Sequence, residues 1–331
     1  MYNIFKKYDP FIERIQTKTW IPTNNIHLNT PNKDTIFKVN SMESFLVIRK
    51  TKFFMSGRYL QEDGKEYPKD SKIELLDNFT PFLFSKCTAK IRGKTINEIE
   101  YTGRVSTIKG VISYSLDLNG PTINSGFVSK FKGGGHFNVM GNLSQFGIPF
   151  FKDHPYPVFN CDMELCFTRN TDDDALLKRV VAGTEDGKII IDELTIKIPI
   201  VECNPLQKVL LLKELTELSQ EKKYTFNFKA WQCIEERNIS GRTIKIDLTS
   251  QYRSVFCGFG LQTNRLNTQN NDPGEFDHCC VRNYWFEING KRYPEECQDE
   301  DFKNNKFCQS YENFMSYKLT YHKNQQELPL M

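Results

Sequence analysis

The sequence has little of what a catalytic site needs. Only five histidines occur among the 331 residues, and none lies in a nucleophile or metal motif: His27, His136, His154, His278 and His322. Asp153-His154 and Asp277-His278 both adjoin loops, and we interpret them as polar surface. A cupin-like metal enzyme, one alternative, needs a His/His/Glu set on adjacent strands. We therefore predict a protein that is not an enzyme, with no catalytic residues, no metal site and no cofactor.

Charge of one sign and long apolar runs are also scarce. The net charge is +3, which argues against a protein that coats nucleic acid by charge alone. No apolar run approaches the length of a membrane span. The first residues, Met1 to Lys7, lack the apolar core of a signal peptide. We expect no membrane span and no sequence-specific binding of nucleic acid.

The ten cysteines form no CxxC pair. The nearest approach to a metal motif is Asp277-His278-Cys279-Cys280, but adjacent residues on a strand point to opposite faces and cannot easily share one ion. Because Cys87, Cys166 and Cys257 lie in strand-like runs, we predict reduced, mostly buried thiols in a protein made inside a cell.

Two further segments have the composition of ligand-binding loops but lack the spacing that such loops need. Gly133-Gly134-Gly135 leads into a strand-like run and lacks the spacing of a phosphate-binding loop, so we predict a flexible loop. The acidic segment from Asn170 to Asp174 lacks the glycine and distant glutamate of a calcium loop. We predict a solvated loop there.

The chain is organised around the stretch from Glu185 to Phe228. Ile189 to Val201 is rich in isoleucine and alternates from Leu194 onward, which predicts a long strand. Asn204-Pro205 suits the cap and first turn of a helix. A new alternating run opens at Tyr224. This pattern indicates a hinge between two β-rich halves.

Strand-like runs occur on both sides of this hinge. They cover residues 36–40, 45–54, 73–77, 82–91, 96–101 and 158–169 in the first half, and 226–234, 243–248, 255–261 and 280–289 in the second. Residues 104–114 are ambiguous between helix and strand, and 311–318 are compatible with helix. Asn289-Gly290 is a strong hairpin signal. The sequences of segments 89–94 and 286–291 each predict a strand followed by a turn glycine and a lysine. This similarity is a weak sign that the two halves arose by duplication of one module.

These elements predict an all-β protein with two jelly-roll β-sandwich modules in tandem, joined by a short crossover helix. The predicted divisions are an N-terminal arm at 1–33, which is extended or disordered, a first jelly roll at 34–203, a crossover helix and linker at 204–223, and a second jelly roll at 224–331. Phe256 and Phe259 are predicted core residues of the second module.

Three motifs carry a resemblance to a known family. They are Ser254 to Arg265 (SVFCGFGLQTNR), Asn270 to His278 (NNDPGEFDH), and Asn289 to Pro294 (NGKRYP). Together with the helix at Asn204-Pro205-Leu206, they resemble the major capsid protein of Polinton (Maverick) elements and adintovirus-like viruses, including copies resident in animal genomes. The similarity covers roughly residues 35–318.

The resemblance implies a homotrimer of pseudo-hexagonal outline that tiles an icosahedral shell around a double-stranded DNA genome. It also implies a penton protein as partner, location in the virion, synthesis in the host cytoplasm and assembly in the nucleus. After Tyr224 we count only about five strands, whereas a jelly roll needs about eight. We therefore expect an incomplete second module, as in a C-terminally truncated copy.

A β-sandwich module that binds carbohydrate or protein is the other alternative. It would be a monomer with exposed aromatic residues on one face. Tyr284 and Trp285, near a loop, are the candidates, although we interpret both as core or interface residues.

Overall fold

The computed structural model describes residues 12–326 apart from 25–26, 42–43, 69–70, 114–120, 130, 132–134, 155–156, 160, 172, 174, 179–185, 222–230, 248–257 and 264–268. The strands are β1 Ile12–Trp20, β2 Asp34–Asn40, β3 Phe45–Leu46, β4 Lys52–Gln61, β5 Ile73–Leu75, β6 Phe84–Ile91, β7 Lys94–Glu100, β8 Gly135–Asn142, β9 Val158–Phe159, β10 Asp162–Arg169, β11 Leu176–Lys178, β12 Gly187–Cys203, β13 Phe286–Ile288 and β14 Lys291–Tyr293.

The helices are short in the first half of the chain and longer afterwards. They are α1 Phe79–Phe82, α2 Thr102–Ser113, α3 Pro121–Asn124, α4 Phe150–Asp153, α5 Pro205–Glu221 and α6 Cys308–Gln326. The described residues also form 3-10 turns at Ile48–Lys50, Leu143–Phe146 and Phe302–Asn304. Residues 104–113 of the ambiguous segment are therefore helical, residue 114 lies outside the described residues, and the helix predicted at 311–318 is confirmed as part of α6.

The long strand β12 is the spine of the larger sheet, whose order is β8-β4-β12-β3-β9, with β1 also paired to β12. The spacing of its buried apolar side chains changes once. Ile189 and Ile191 are two residues apart, but the next buried residue is Leu194, three residues further on, and Ile196 then follows at the usual spacing of two. The pairing with β4 shifts register between Ile191 and Glu193, which marks a β-bulge. One extra residue in a strand reverses the face of every later side chain. The bulge thus keeps Ile196, Ile198 and Ile200 in the same core as Ile189 and Ile191.

A smaller antiparallel sheet, β2-β10-β6-β7, faces the larger one across a core rich in phenylalanine. Phe146 joins the two layers, because its ring lies 4.9 Å from that of Phe53 in the larger sheet and 5.2 Å from that of Phe167 in the smaller. Along β10, Met163, Leu165 and Phe167 are buried as their alternation predicts. The first half is therefore a β-sandwich with a single core.

Residues 12–20, predicted to lie in an extended or disordered arm, form the strand β1. It pairs antiparallel with β12 from Ile12 opposite Cys203 to Trp20 opposite Ile196. Its periodicity is weak because most of its side chains are exposed, and only Trp20 is buried. Backbone pairing, rather than an apolar face, holds this segment in place.

The helix after the spine begins as predicted. The side chain of Asn204 accepts a hydrogen bond from the backbone N–H of Leu206 at 2.9 Å, which caps α5, and Pro205 occupies the first turn. An asparagine cap satisfies one of the donors that a helix start leaves without an intrahelical partner. The helix prediction at this point is confirmed.

Two hairpins with the same local structure lie in different halves of the chain. Arg92-Gly93 connects β6 to β7, and Asn289-Gly290 connects β13 to β14. All four turn residues have positive φ, between 48° and 74°. Such turns match the twist of the strands they join. The similarity of segments 89–94 and 286–291 is thus a similarity of structure as well as of sequence.

In the second half, several predicted strands are absent where the structure describes them. Residues 243–247 and 281–285 have no regular secondary structure, as is also true of 231–234. Alternation gives a segment the capacity to form a strand, but a strand also needs a pairing partner. Of the strand predicted at 255–261, residues 258–260 have no regular secondary structure and Leu261 forms an isolated bridge. Residues 226–230, 248 and 255–257 of the predicted strands lie outside the described residues.

Phe259 is not a core residue, contrary to prediction: half of its surface is exposed. Its ring packs at the edge of Tyr284 and Phe286, with centroids 5.5 and 6.3 Å away. The hydrophobic core runs from Trp20 to Ile200 and includes no described residue of the second half. A lone aromatic cluster cannot exclude water as two facing sheets do. Phe256 lies outside the described residues.

Candidate assembly surface

The second half of the chain meets the first through polar contacts. Gln269 accepts a hydrogen bond from the backbone N–H of Gly187 at 2.8 Å and donates one to the carbonyl of Gly187 at 2.7 Å. Gly187 begins β12, and a Cβ there would lie 2.2 Å from the hydroxyl of Tyr67. The packing at this position therefore requires glycine, and both backbone groups of the glycine bind a side chain from 82 residues further along.

A second contact is ionic. Glu235 accepts hydrogen bonds from Arg104 of α2 and from Arg237, each at 3.1 Å. The side chains of Arg104 and Glu235 are 16% and 15% exposed, so this pair is largely withdrawn from water. Tyr101 lies beside it, where burial raises the pKa of its hydroxyl and the carboxylate of Glu235 raises it further. The pairing is more than a surface ion pair, since partial burial strengthens it.

The described part of the first motif, residues 258–263, and the motif at 270–278 come together in space. The backbone N–H of Asp277 donates to the carbonyl of Leu261 at 2.7 Å, and the carboxylate of Asp277 accepts from the N–H of Thr263 at 2.8 Å. Gln262 donates to the carbonyls of Pro273 and Glu275, each at 2.7 Å. These side chains and backbone groups thus join the described parts of the two motifs, which gives the motif residues a structural role.

Apolar side chains are exposed along α5. Leu206, Val209 and Leu210 are spaced i, i+3 and i+4, so they lie on one face. Their exposures are 77%, 64% and 60%, whereas the polar neighbours Gln207 and Lys208 are half-buried. The helix therefore presents an apolar stripe outward. A clustered apolar face of this kind is typical of a surface that a partner covers.

The strand β1 presents a second exposed surface beside that helix. Ile15 is 64% exposed, and Ile12, which pairs with Cys203 just before α5, is also exposed. Among the described strands, only β12 pairs with β1, so no described strand occupies the other edge of β1. Open strand edges pair readily with another chain. We name β1 together with Leu206, Val209 and Leu210 of α5 the outer face.

The prediction of polar surface was wrong at His154, and the prediction of a solvated loop at 170–174 holds at the exposed Thr171 but not at Asp173. His154 is buried and its ring stacks on Phe150 at 5.2 Å, because α4 turns it toward the core; burial lowers the pKa of its imidazole. In the acidic loop, Asp173 pairs with the buried Arg169 and accepts a hydrogen bond from the N–H of Ile189 at 2.8 Å. Asp173 therefore holds the loop against β12.

The remaining candidates have structural surroundings of their own. His278 is exposed and stacks on Phe302, with ring centroids 4.7 Å apart. Trp285 is 44% exposed and lies under the guanidinium of Arg292 at 4.1 Å, while the hydroxyl of Tyr284 bonds to Ser310. Of the glycine cluster, only Gly135 is described, and it begins β8.

The cysteines are less buried than predicted. Each of the nine described cysteines is free of a disulfide; Cys87 and Cys161 are buried, whereas four in the second half are exposed, namely Cys279, Cys280, Cys297 and Cys308. The exposed ones follow from the absence of a second apolar core among the described residues. Cys257 lies outside them.

Within the described part of the chain, no three histidine, cysteine or acidic side chains are grouped so that they could hold a metal ion. Over the same residues, no helix combines the length and apolar character that crossing a membrane requires.

A family model described as the double jelly roll-like domain matches residues 73–331. The chain belongs to the double jelly roll-like family. The match includes most of the sandwich, α5 and the whole of the second half, so the predicted all-β fold of tandem jelly rolls is confirmed. Family membership, rather than the described strands alone, establishes the second jelly roll. No curated protein matches this double jelly roll-like chain.

Solved structures similar to it include the PBCV-1 virus capsid (TM-score 0.41, 10% identity, 63% of this chain and 46% of that one). Others are the Sputnik virophage (TM-score 0.40, 10% identity, 59% and 49%) and the mavirus major capsid protein (TM-score 0.34, 13% identity, 58% and 47%). This double jelly roll-like chain matches about half the length of each.

Proposed function

We propose that this protein is a structural major capsid protein that assembles as a homotrimer of pseudo-hexagonal outline and tiles an icosahedral shell around a double-stranded DNA genome. The single observation that carries the proposal is the double jelly roll-like family match over residues 73–331. Two similar modules per chain provide six in a trimer, which suits a sixfold position in a shell.

The outer face supports self-association. Its helix stripe is apolar, and no described strand occupies the outer edge of its strand, so a second copy could cover both at once. The cores of protein interfaces contain few charged residues. Between Leu206 and Leu210 the only charged residue is Lys208, which is half-buried and does not belong to the exposed stripe. In this proposal, the first jelly roll covers residues 34–203 and is extended by β1. A crossover helix and linker follow at 204–223, and the second jelly roll covers 224–331.

The finer assignment rests on the motifs in the second half. Leu261-Gln262-Thr263 and Phe276-Asp277-His278, which resemble Polinton, Maverick and adintovirus capsid proteins, hold one loop together. In the same proposal, a penton protein is a partner, the virion is the location of the protein, and assembly follows synthesis in the cytoplasm and entry into the nucleus. The protein acts by assembly and not by catalysis.

The test is the mass of the purified protein by light scattering after size exclusion, with negative-stain images of the same fraction. A particle of three times 38.7 kDa, or hexagonal tiles, is expected. The variant Leu206→Ser/Val209→Ser/Leu210→Ser should dissociate it, while Glu217→Ser, an exposed polar position on the same helix, should not. A folded monomer for the parent protein contradicts the proposal and favours a β-sandwich binding module.

A further inference from the structure

A cavity of about 220 Å³ lies at one end of the first sandwich. It is bordered by the 3-10 turns at 48–50 and 143–146 and by the helices α2 and α4. Three cationic side chains from three of these elements line it, together with small polar ones: Arg49, Lys109 and Lys152, with Ser106, Asn142 and Ser144. Residues distant in sequence thus bring positive charge to one small space.

The wall of this cavity is held by hydrogen bonds. Asn142 donates to the carbonyl of Arg49 at 3.0 Å and accepts from the N–H of Ser144 at 2.9 Å. Lys109, which is 5% exposed, donates to the carbonyl of Ser144 at 2.6 Å. The same side chain of Asn142 therefore joins the turn that bears Arg49 to the turn that receives Lys109, so the site is preformed.

The charge and size of the cavity define the ligand class. None of the described lining residues is acidic. Drug-sized ligands need roughly 300–1,000 Å³, which exceeds this cavity. Arginine and lysine, assisted by hydroxyl and amide donors, are the groups that bind oxyanions.

We propose that this cavity binds a small tetrahedral oxyanion of the phosphate class, with Arg49, Lys109 and Lys152 as its cationic ligands. The bound anion would stabilise the end of the sandwich where the two 3-10 turns and α2 meet. This function is independent of self-assembly, because it needs only the first half of the chain in its folded state.

The experiment uses the full-length protein and inorganic phosphate. Its Tm is measured against phosphate concentration at constant ionic strength, with chloride as the balancing anion, and the apparent Kd is derived from the shift. Arg49→Gln and Lys152→Gln remove cations from half-exposed positions and leave the buried Lys109 in place, so folding is retained. Lys94→Gln, at an exposed strand end, is the control for the loss of one charge.

Saturable stabilisation is expected in the parent and in Lys94→Gln, with Kd raised at least about tenfold in each cavity variant, as the loss of a charge-assisted hydrogen bond predicts. Phosphate also stabilises proteins without a site, by exclusion from their surface. An equal and unsaturable shift in all four proteins therefore overturns the proposal, as does the absence of any shift. Dimethyl phosphate in place of phosphate distinguishes a nucleic-acid diester from the free ion.

Discussion

Gln269 and Gly187 exchange two hydrogen bonds, one in each direction, across a sequence separation of 82 residues. The contact joins the loop between two motifs to the first residue of the spine strand. Gln269→Ala should lower the free energy of unfolding by about 1–3 kcal/mol, because it removes both bonds from a half-buried backbone. Urea unfolding measures this, with Gln232→Ala, an exposed glutamine in the same half, as the control. Equal midpoints for the two variants would show that the contact is not stabilising.

The pair of Arg104 and Glu235 should be the stronger of the two ionic contacts at Glu235. Both its side chains are mostly shielded, whereas Arg237 is 50% exposed. Arg104→Ala is expected to cost about 1.5–3 kcal/mol, and Arg237→Ala clearly less, because solvent screens an exposed ion pair. A double-mutant cycle with Glu235→Gln separates the pairwise energies. A larger cost for Arg237→Ala would contradict the geometry.

Phe146 should contribute far more to stability than Phe259. Phe146→Ala leaves a cavity between the two sheets and should cost about 3–5 kcal/mol. Phe259→Ala removes a ring that is already half exposed, so its cost should be well below that. Thermal or urea unfolding of the two variants makes the comparison. A similar cost at both positions would indicate that Phe259 belongs to a core after all.

His154 should make stability fall in mild acid. Burial lowers the pKa of its imidazole in the folded protein, so the unfolded chain binds a proton first as the pH falls below about 6.5. The free energy of unfolding therefore decreases from that pH downward until the folded state also protonates. His154→Gln should flatten this part of the pH profile. A profile unchanged by His154→Gln would refute the assignment.

The thiols should divide into two reactivity classes. Burial raises the pKa of Cys161 to about 11 and that of Cys166 to about 12, and it raises the pKa of Cys87 as well. Because the thiolate is the reactive form, these residues should alkylate slowly at pH 8. The four exposed cysteines of the second half should react first. Mass spectrometry of peptides after timed iodoacetamide treatment gives the order, and early labelling of Cys87 would contradict it.

Local periodicity in the sequence determined the main elements of the first half. The isoleucines of β12 change phase at the point where the bulge occurs, β10 alternates along its whole length, and Asn204-Pro205 begins a helix. Asn289-Gly290 likewise determined its own hairpin. These features depend on residues that are close together in the chain, so their pattern is visible before folding.

Only the tertiary structure decided the contacts between distant segments. No apolar pattern in the sequence of β1 predicts its pairing with β12, because the two strands are held by hydrogen bonds between their backbones. The burial of His154, the pairing of Arg104 with Glu235 and the cavity of Arg49, Lys109 and Lys152 each depend on the three-dimensional course of the chain. The surroundings of a side chain depend on which distant segments the fold places against it. Its immediate neighbours in sequence do not specify those segments.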